Sequence, residues 1–244
     1  AGTCTDGWDA ANVRISSDGG STWNLLNSSN DSYDFYYGSI NINGAITGRA
    51  THSNPNLAQV PAVILEYGPE CRSLFCASEG HVLVGADMSQ IELRILGHYI
   101  SAYDGGEYAD DVINGDIHTR TLQALGLKQE ERWLAKRFMY TFLYGGGGKK
   151  LGEVMGTTTE EGFKLKDKFL KKIPALKKLV TKVQEVSANG DIGALDGRRV
   201  FCRSQHSALN SLLQSGAAIA SKYWIAECKS FLNEEKLVDR YFSA

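Results

Sequence analysis

Val82-Leu83-Val84-Gly85-Ala86-Asp87-Met88-Ser89-Gln90-Ile91-Glu92-Leu93-Arg94 changes its period in the middle. Residues 82–86 are a short apolar run that predicts a buried strand. From residue 90 to 100 the apolar residues Ile91, Leu93, Ile95 and Leu96 follow a helical spacing. A strand-to-helix junction therefore presents Asp87, with a second acid, Glu92, five residues on. Magnesium takes one or two carboxylates together with phosphates and waters, so a carboxylate at a strand end beside a cleft suits it. The same carboxylate also suits a helix cap or a turn, and the apolar pattern leaves both readings open.

Downstream of this junction the spacing predicts helices over 107–114, 117–125, 130–143, 159–172 and 175–188, with Pro174 separating the last two. Thr158 and Glu161 have the spacing of a capping box for the fourth. Asp196-Gly197 is a hairpin signal within 195–202, and a long helix is expected from 207 to about 233. Upstream, 1–38 is rich in Ser, Gly, Asn, Asp and aromatic residues and reads as hairpins and turns, with short β-prone runs at 12–15 and 33–37.

Composition narrows the classes. With 43% hydrophobic and 22% charged residues, the 244-residue chain has the make-up of a soluble globular protein. No run of 18 apolar residues offers a membrane span and no secretory leader is visible, so a cytoplasmic setting is expected. Cys4, Cys71, Cys76, Cys202 and Cys228 are scattered and odd in number, which suits thiols better than a disulfide or zinc framework. The formal net charge of -2 argues against a wholly basic binding surface. That total hides an asymmetry: 1–38 sets five aspartates against Arg14, whereas 145–182 sets ten lysines against four acids. A lysine-rich helical stretch is either a phosphate-facing surface or an ordinary solvated one.

A second pattern lies on the predicted helix 130–143. Arg132, Lys136, Tyr140 and Tyr144 recur every fourth residue and share one slowly drifting face. Arg with its fork and Lys as a point charge suit a triphosphate, and a ring beyond them can stack on a base. A solvated helix face produces such a stripe as well.

The two patterns together decide between these readings. Asp87-Met88-Ser89-Gln90-Ile91-Glu92-Leu93-Arg94 resembles motif A of family-A DNA polymerases, and Arg132-x3-Lys136-x3-Tyr140-x3-Tyr144-Gly145 resembles motif B, the fingers helix of that family, closest to the phage replicative branch. The resemblance covers 39–236. It implies an α+β fold: a right-hand polymerase palm with an antiparallel sheet and helical fingers, incomplete, with 39–244 as palm and fingers and the fingers at about 107–190.

The implied function is template-directed deoxynucleotidyl transfer to a primer 3′-OH by two magnesium ions in phage-type replication, with primer–template DNA and dNTPs as partners, in the cytoplasm of an infected bacterial host. Asp87 and the Met88 carbonyl are the implied metal ligands, and Asp87 and Lys136 the implied catalytic residues. Arg132, Lys136 and His118 are implied at the phosphates, Tyr140 at the sugar, Tyr144 at the templating base, Gln90 in the nucleotide pocket, and Glu92 as a gate against the ribose 2′-OH. Tyr140 in place of Phe implies weak discrimination against 3′-deoxy nucleotides.

Thr47-Gly48-Arg49-Ala50-Thr51-His52 and Asn54-Pro55-Asn56-Leu57-Ala58-Gln59 resemble the primer–template segment, which implies DNA contacts for Arg49, Thr51 and Gln59. Arg203, His206, Asn210 and Gln214 resemble the template–primer helix. Arg49 and Gln214 would check pair geometry at the minor-groove acceptors that every base pair offers. Gly145–Gly148 with Lys149-Lys150 lacks the phosphate-loop pattern and reads as a flexible end of the fingers helix.

Two departures qualify the resemblance. The family's second carboxylate belongs to a His-Asp-Glu turn, and no His-Asp-Glu occurs here, so truncation and weak or absent activity are expected. Ser16-x-Asp18-x-Gly20-x-Thr22-Trp23 resembles the Asp-box hairpin of β-rich proteins, which implies a separate segment at 1–38 with no chemistry of its own. No processivity factor can be assigned. Two rival functions remain: a ribonucleotide polymerase, which Glu92 disfavours, and a non-catalytic fragment that binds primer–template DNA.

Overall fold

The computed structural model describes residues 14–15, 24–25, 41–53, 59–77 and 82–235. The chain divides into two compact units, Ala1–Gly44 with Ala50–Asp87, and Ala45–Arg49 with Met88–Ala244, whereas the sequence led us to expect a boundary at 38/39.

In the first unit, β1 (Arg14–Ile15) pairs antiparallel with β2 (Asn24–Leu25), Arg14 facing Leu25. This ladder flanks the Asp-box-like stretch, whose residues 16–23 lie outside the described residues, as do 33–37. A second ladder joins β3 (Asn41–Gly44) to β4 (Ala50–Ser53), and α1 (Gly68–Ser73) was not foreseen in the sequence. The expected strand at 82–86 does not form: 82–88 has no ladder partner among the described residues, and Val82, Leu83 and Val84 are 68–81% exposed. A strand exists only where a neighbouring backbone accepts its hydrogen bonds, and an apolar run cannot supply that neighbour.

The second unit is helical: α2 (Ile91–Asp104), α3 (Glu107–Ile113), α4 (Ile117–Leu125), a 3-10 turn at Gln129–Glu131, α5 (Arg132–Leu143), α6 (Gly148–Met155), α7 (Thr159–Lys172) and α8 (Pro174–Ser187). A hairpin of β5 (Asp191–Gly193) and β6 (Arg199–Phe201) follows, then a 3-10 turn at Gln205–Ser207 and the long α9 (Ala208–Glu234). The helix ends follow local chemistry. The Asp116 side chain caps α4 by accepting from the His118 and Thr119 amides, and the Thr158 hydroxyl accepts from the Glu161 amide at 3.2 Å. Gly126, left-handed at φ 73, ends α4.

The core joins α2, α5, α7, α8 and α9. Leu93, Leu96, Phe138, Met139, Phe169, Leu176 and Leu213 are at most 1% exposed. Phe138 and Phe142 of α5 both meet Phe169 of α7 edge-on, with centroids 5.4 Å apart.

Three of the four glycines at 145–148 have close neighbours, whereas a Cβ on Gly147 would meet nothing within 4 Å. A Cβ on Gly146 would stand 2.6 Å from the Thr141 carbonyl oxygen, and one on Gly148 2.4 Å from the Phe163 ring. Glycine here permits contact: Gly148 opens α6, which lies against α7. Among the described residues Cys71, Cys76, Cys202 and Cys228 form no disulfide, and no helix is long and apolar enough to cross a membrane.

Candidate functional site

Five of the residues singled out in the sequence form one continuous line across the second unit. Arg49, at the tip of the β3–β4 hairpin, donates from Nη2 to Glu92 Oε1 at 2.7 Å. The hairpin tip is closed by Ala45 N–H to the Arg49 carbonyl at 2.8 Å, and Gly48 takes φ 84 there. A Cβ on Gly48 would touch Arg198 at 3.0 Å and Ala218 at 3.9 Å, so the tip rests on α9 one turn beyond Gln214. Glu92 stands in the first turn of α2, with its side chain 16% exposed. Gln90, just before α2, is left-handed at φ 54, an uncommon state for a side chain larger than Gly, and it is the N-cap residue of that helix.

From Glu92 the line passes to the far end of α5. The Tyr144 hydroxyl stands 3.5 Å from Glu92 Oε1, and the Tyr144 ring stacks on Tyr140 at 6.4 Å and 23°. Burial first, then the Glu92 charge, raises the pKa of both phenols, so they stay neutral donors at neutral pH. Tyr140, Thr141, Tyr144, Gly146 and Lys150 line an open cavity of about 270 Å³. Gly145, left-handed at φ 79, brings this end of α5 against the His206 backbone, since a Cβ there would stand 3.1 Å from the His206 carbonyl oxygen.

Tyr140 also faces His118 of α4, with centroids 6.2 Å apart. His118 is 6% exposed, and its Nδ1 is buried without a hydrogen-bond partner among the described residues. Burial, then the charges of Arg132 and Lys136, hold the imidazole below its ordinary pKa against the pull of Asp116, so it is neutral at pH 7. Two cations act on it. Arg132 grips both oxygens of Asp116, and Lys136, one turn on, is exposed.

The four-residue stripe of α5 is therefore as expected: two cations at one end and two stacked phenols at the other. The sequence did not connect Arg132 to Asp116, sixteen residues away, or Arg49 to Glu92, forty-three away. The one available signal was an Asp in N-cap position before α4. Burial pulls the Asp116 carboxyl up, but hydrogen bonds from Arg132, from the Thr119 hydroxyl and from the two amides outweigh it and hold the pKa at about 2.

The remaining sequence candidates are placed as follows. Arg203 is exposed; His206 lies in the 3-10 turn before α9 and not on it; Asn210 and Gln214 are half-buried on α9. Asp87 is the last residue of the first unit and is exposed, and Met88, half-buried, belongs to the second. Thr51 and Gln59 belong to the first unit and are exposed, while 54–58 of the same motif lies outside the described residues. Among the described residues there is no group of three His, Cys, Asp or Glu side chains able to hold a metal ion.

Comparison with known proteins places these features in one family. The family model for DNA polymerase family A matches residues 19–243, and so reaches back into the segment that the Asp-box resemblance set apart. The DNA-directed DNA polymerases of Enterobacteria phage T3 and Escherichia phage T7 are each 42% identical over 225 residues, which is 82% of this chain and 32% of theirs. The chain thus spans about a third of the length of these relatives. Among solved structures, the POL domain of Pol1 from M. smegmatis, in complex with DNA primer-template and dNTP, shares the fold with a TM-score of 0.64 at 23% identity, over 81% of this chain and 38% of that one. The chain belongs to DNA polymerase family A.

Proposed function

We propose that these residues carry the nucleotide pocket and part of the primer-end grip of a phage-type DNA-directed DNA polymerase, which transfers a deoxynucleotide to a primer 3′-OH. The observation that supports this best is the unbroken line Arg49, Glu92, Tyr144, Tyr140, His118, with Arg132 beside its end. A groove-reaching cation stands at one end, stacked rings in the middle and a cluster of phosphate-binding donors at the other. That is the order minor groove, base and sugar, triphosphate.

In this reading Arg132 and Lys136 neutralise the triphosphate, and His118 donates to it as a neutral imidazole. Tyr140 and Tyr144 flank the sugar and the templating base. Glu92, held by Arg49, fills the space a ribose 2′-OH would need. Arg49 and Gln214 donate into the minor groove, where every pair presents acceptors. Gln90 shapes the pocket floor, and Thr51, Gln59, Arg203, His206 and Asn210 contact the DNA backbone or primer end.

The donor set at 87–88 suits magnesium. It offers an exposed carboxylate and an adjacent backbone carbonyl, and this ion accepts one or two protein carboxylates with phosphates and waters completing its shell. Asp87 and Met88 would hold it. When bound, it lowers the pKa of the primer hydroxyl and offsets the charge of the triphosphate.

The test is magnesium-dependent primer extension by this chain with Asp87→Ala as control, alongside binding of primer–template and of deoxy- and ribonucleoside triphosphates. The expected result is triphosphate binding that weakens in Arg132→Ala and favours the deoxy form. Extension lost in Asp87→Ala would mean that the second carboxylate comes from within these residues. Equal affinity for ribo- and deoxynucleotides would remove the role of Glu92 and favour a ribonucleotide enzyme.

A further inference from the structure

We propose that Asp116 is a positioning residue that holds the Arg132 fork in the orientation that receives a triphosphate; this rests on the nucleotide-binding reading above. Arg132 uses Nε, at 3.0 Å, and Nη2, at 2.8 Å to each oxygen, to grip the carboxylate. A guanidinium carries five N–H donors, so the Nη1 edge remains to meet phosphate while the other edge stays clamped. Asp116 is itself fixed: its oxygens accept from the His118 amide at 3.0 Å, the Thr119 hydroxyl at 2.8 Å and the Thr119 amide at 3.4 Å. One carboxylate thereby ties the first turn of α5 to the N-terminus of α4 and sets Arg132 beside the His118 ring.

The arrangement acts through order. A free arginine loses most of its rotamer freedom on meeting a phosphate, and a side chain already held by a carboxylate has lost it beforehand. Asp116 and Arg132 are each 42% exposed, so the pair is open to an incoming ligand and is not a buried structural lock.

The experiment compares binding of inorganic tripolyphosphate and of dATP with magnesium to wild type, Asp116→Asn, Arg132→Ala and the double variant. Asn keeps the helix cap but gives up the charge-assisted part of the Asp116 hydrogen bonds, so the thermal midpoint of Asp116→Asn should fall by a few degrees, and binding is compared at a temperature where both proteins are folded. The affinity of Asp116→Asn for both probes should fall roughly tenfold, through the loss of a preorganised fork. Adding Asp116→Asn to Arg132→Ala should weaken binding no further, because the carboxylate acts only through Arg132. Asp116→Ser, another capping residue that cannot span the fork, should repeat the loss.

Unchanged or tighter binding in Asp116→Asn, with binding still weakened in Arg132→Ala, would overturn the positioning role and leave the proposed function standing. Additive losses in the double variant would overturn it too. Binding indifferent to Arg132→Ala would overturn both.

Discussion

Replacing Gly162 by alanine puts a methyl group where α6 and α7 already touch. A Cβ at that position would stand 2.0 Å from the Gly148 carbonyl oxygen and 2.6 Å from the Gly152 amide nitrogen, whereas ordinary contact begins at 3.4 Å. About 1.4 Å must therefore be recovered, and because the obstacle is backbone, no side-chain rotation supplies it. Overpacking of this kind costs about 1–3 kcal/mol, and a backbone obstacle argues for the upper end. Alanine regains about 1 kcal/mol of helix propensity over glycine. The net expectation is a loss of about 2 kcal/mol, which for a domain of this size lowers the thermal midpoint by roughly 4–8 °C. The assay is thermal and urea unfolding followed by circular dichroism, with Gly193→Ala as control. A Cβ on Gly193 meets nothing within 4 Å, so its midpoint should barely move. If Gly162→Ala matched or exceeded wild type, the α6–α7 seam would not be the close contact described.

Phe169→Ala removes a fully buried ring that meets Phe138 and Phe142 edge-on, and should cost about 3–5 kcal/mol in urea unfolding. A loss under 1 kcal/mol would show that α5 and α7 are not joined there. Asp116 has its pKa lowered to about 2 in the folded chain, below its unfolded value of ~3.9. Its contribution to stability is thus complete above pH ~4 and is lost as pH falls toward about 2. Acid unfolding should lose that limb in Asp116→Asn, and an identical acid profile for the two proteins would refute it.

Helices and their ends were legible in the sequence because their causes are local. The expected spans 117–125 and 159–172 coincide with α4 and α7, and Thr158 caps where its spacing suggested. Asp196-Gly197 turns the β5–β6 hairpin with Gly197 at φ 82. The two helices missed, α1 and α6, are six and eight residues long and begin at glycines, where periodicity has little length to show itself. Residues 82–86 failed as a strand for the complementary reason. Their apolar pattern signals burial, yet strand formation depends on a partner that the pattern cannot name.

The stripe on α5 was likewise visible as a four-residue repeat, and the roles proposed for its residues come from the family resemblance. What the sequence determined alone was therefore the helical order, the caps, the family and the two motifs, because i to i+4 hydrogen bonding and capping act over a few residues. Only the tertiary structure decided that Arg49 pairs with Glu92, that Tyr144 reaches the same carboxylate, that Asp116 takes Arg132, and that the glycines at 146, 148 and 162 are points of close contact. Those outcomes depend on how closely the 45–49 tip, α2, α4, α5, α6 and α7 approach one another, and side-chain partners so far apart in the chain are chosen by packing and not by spacing.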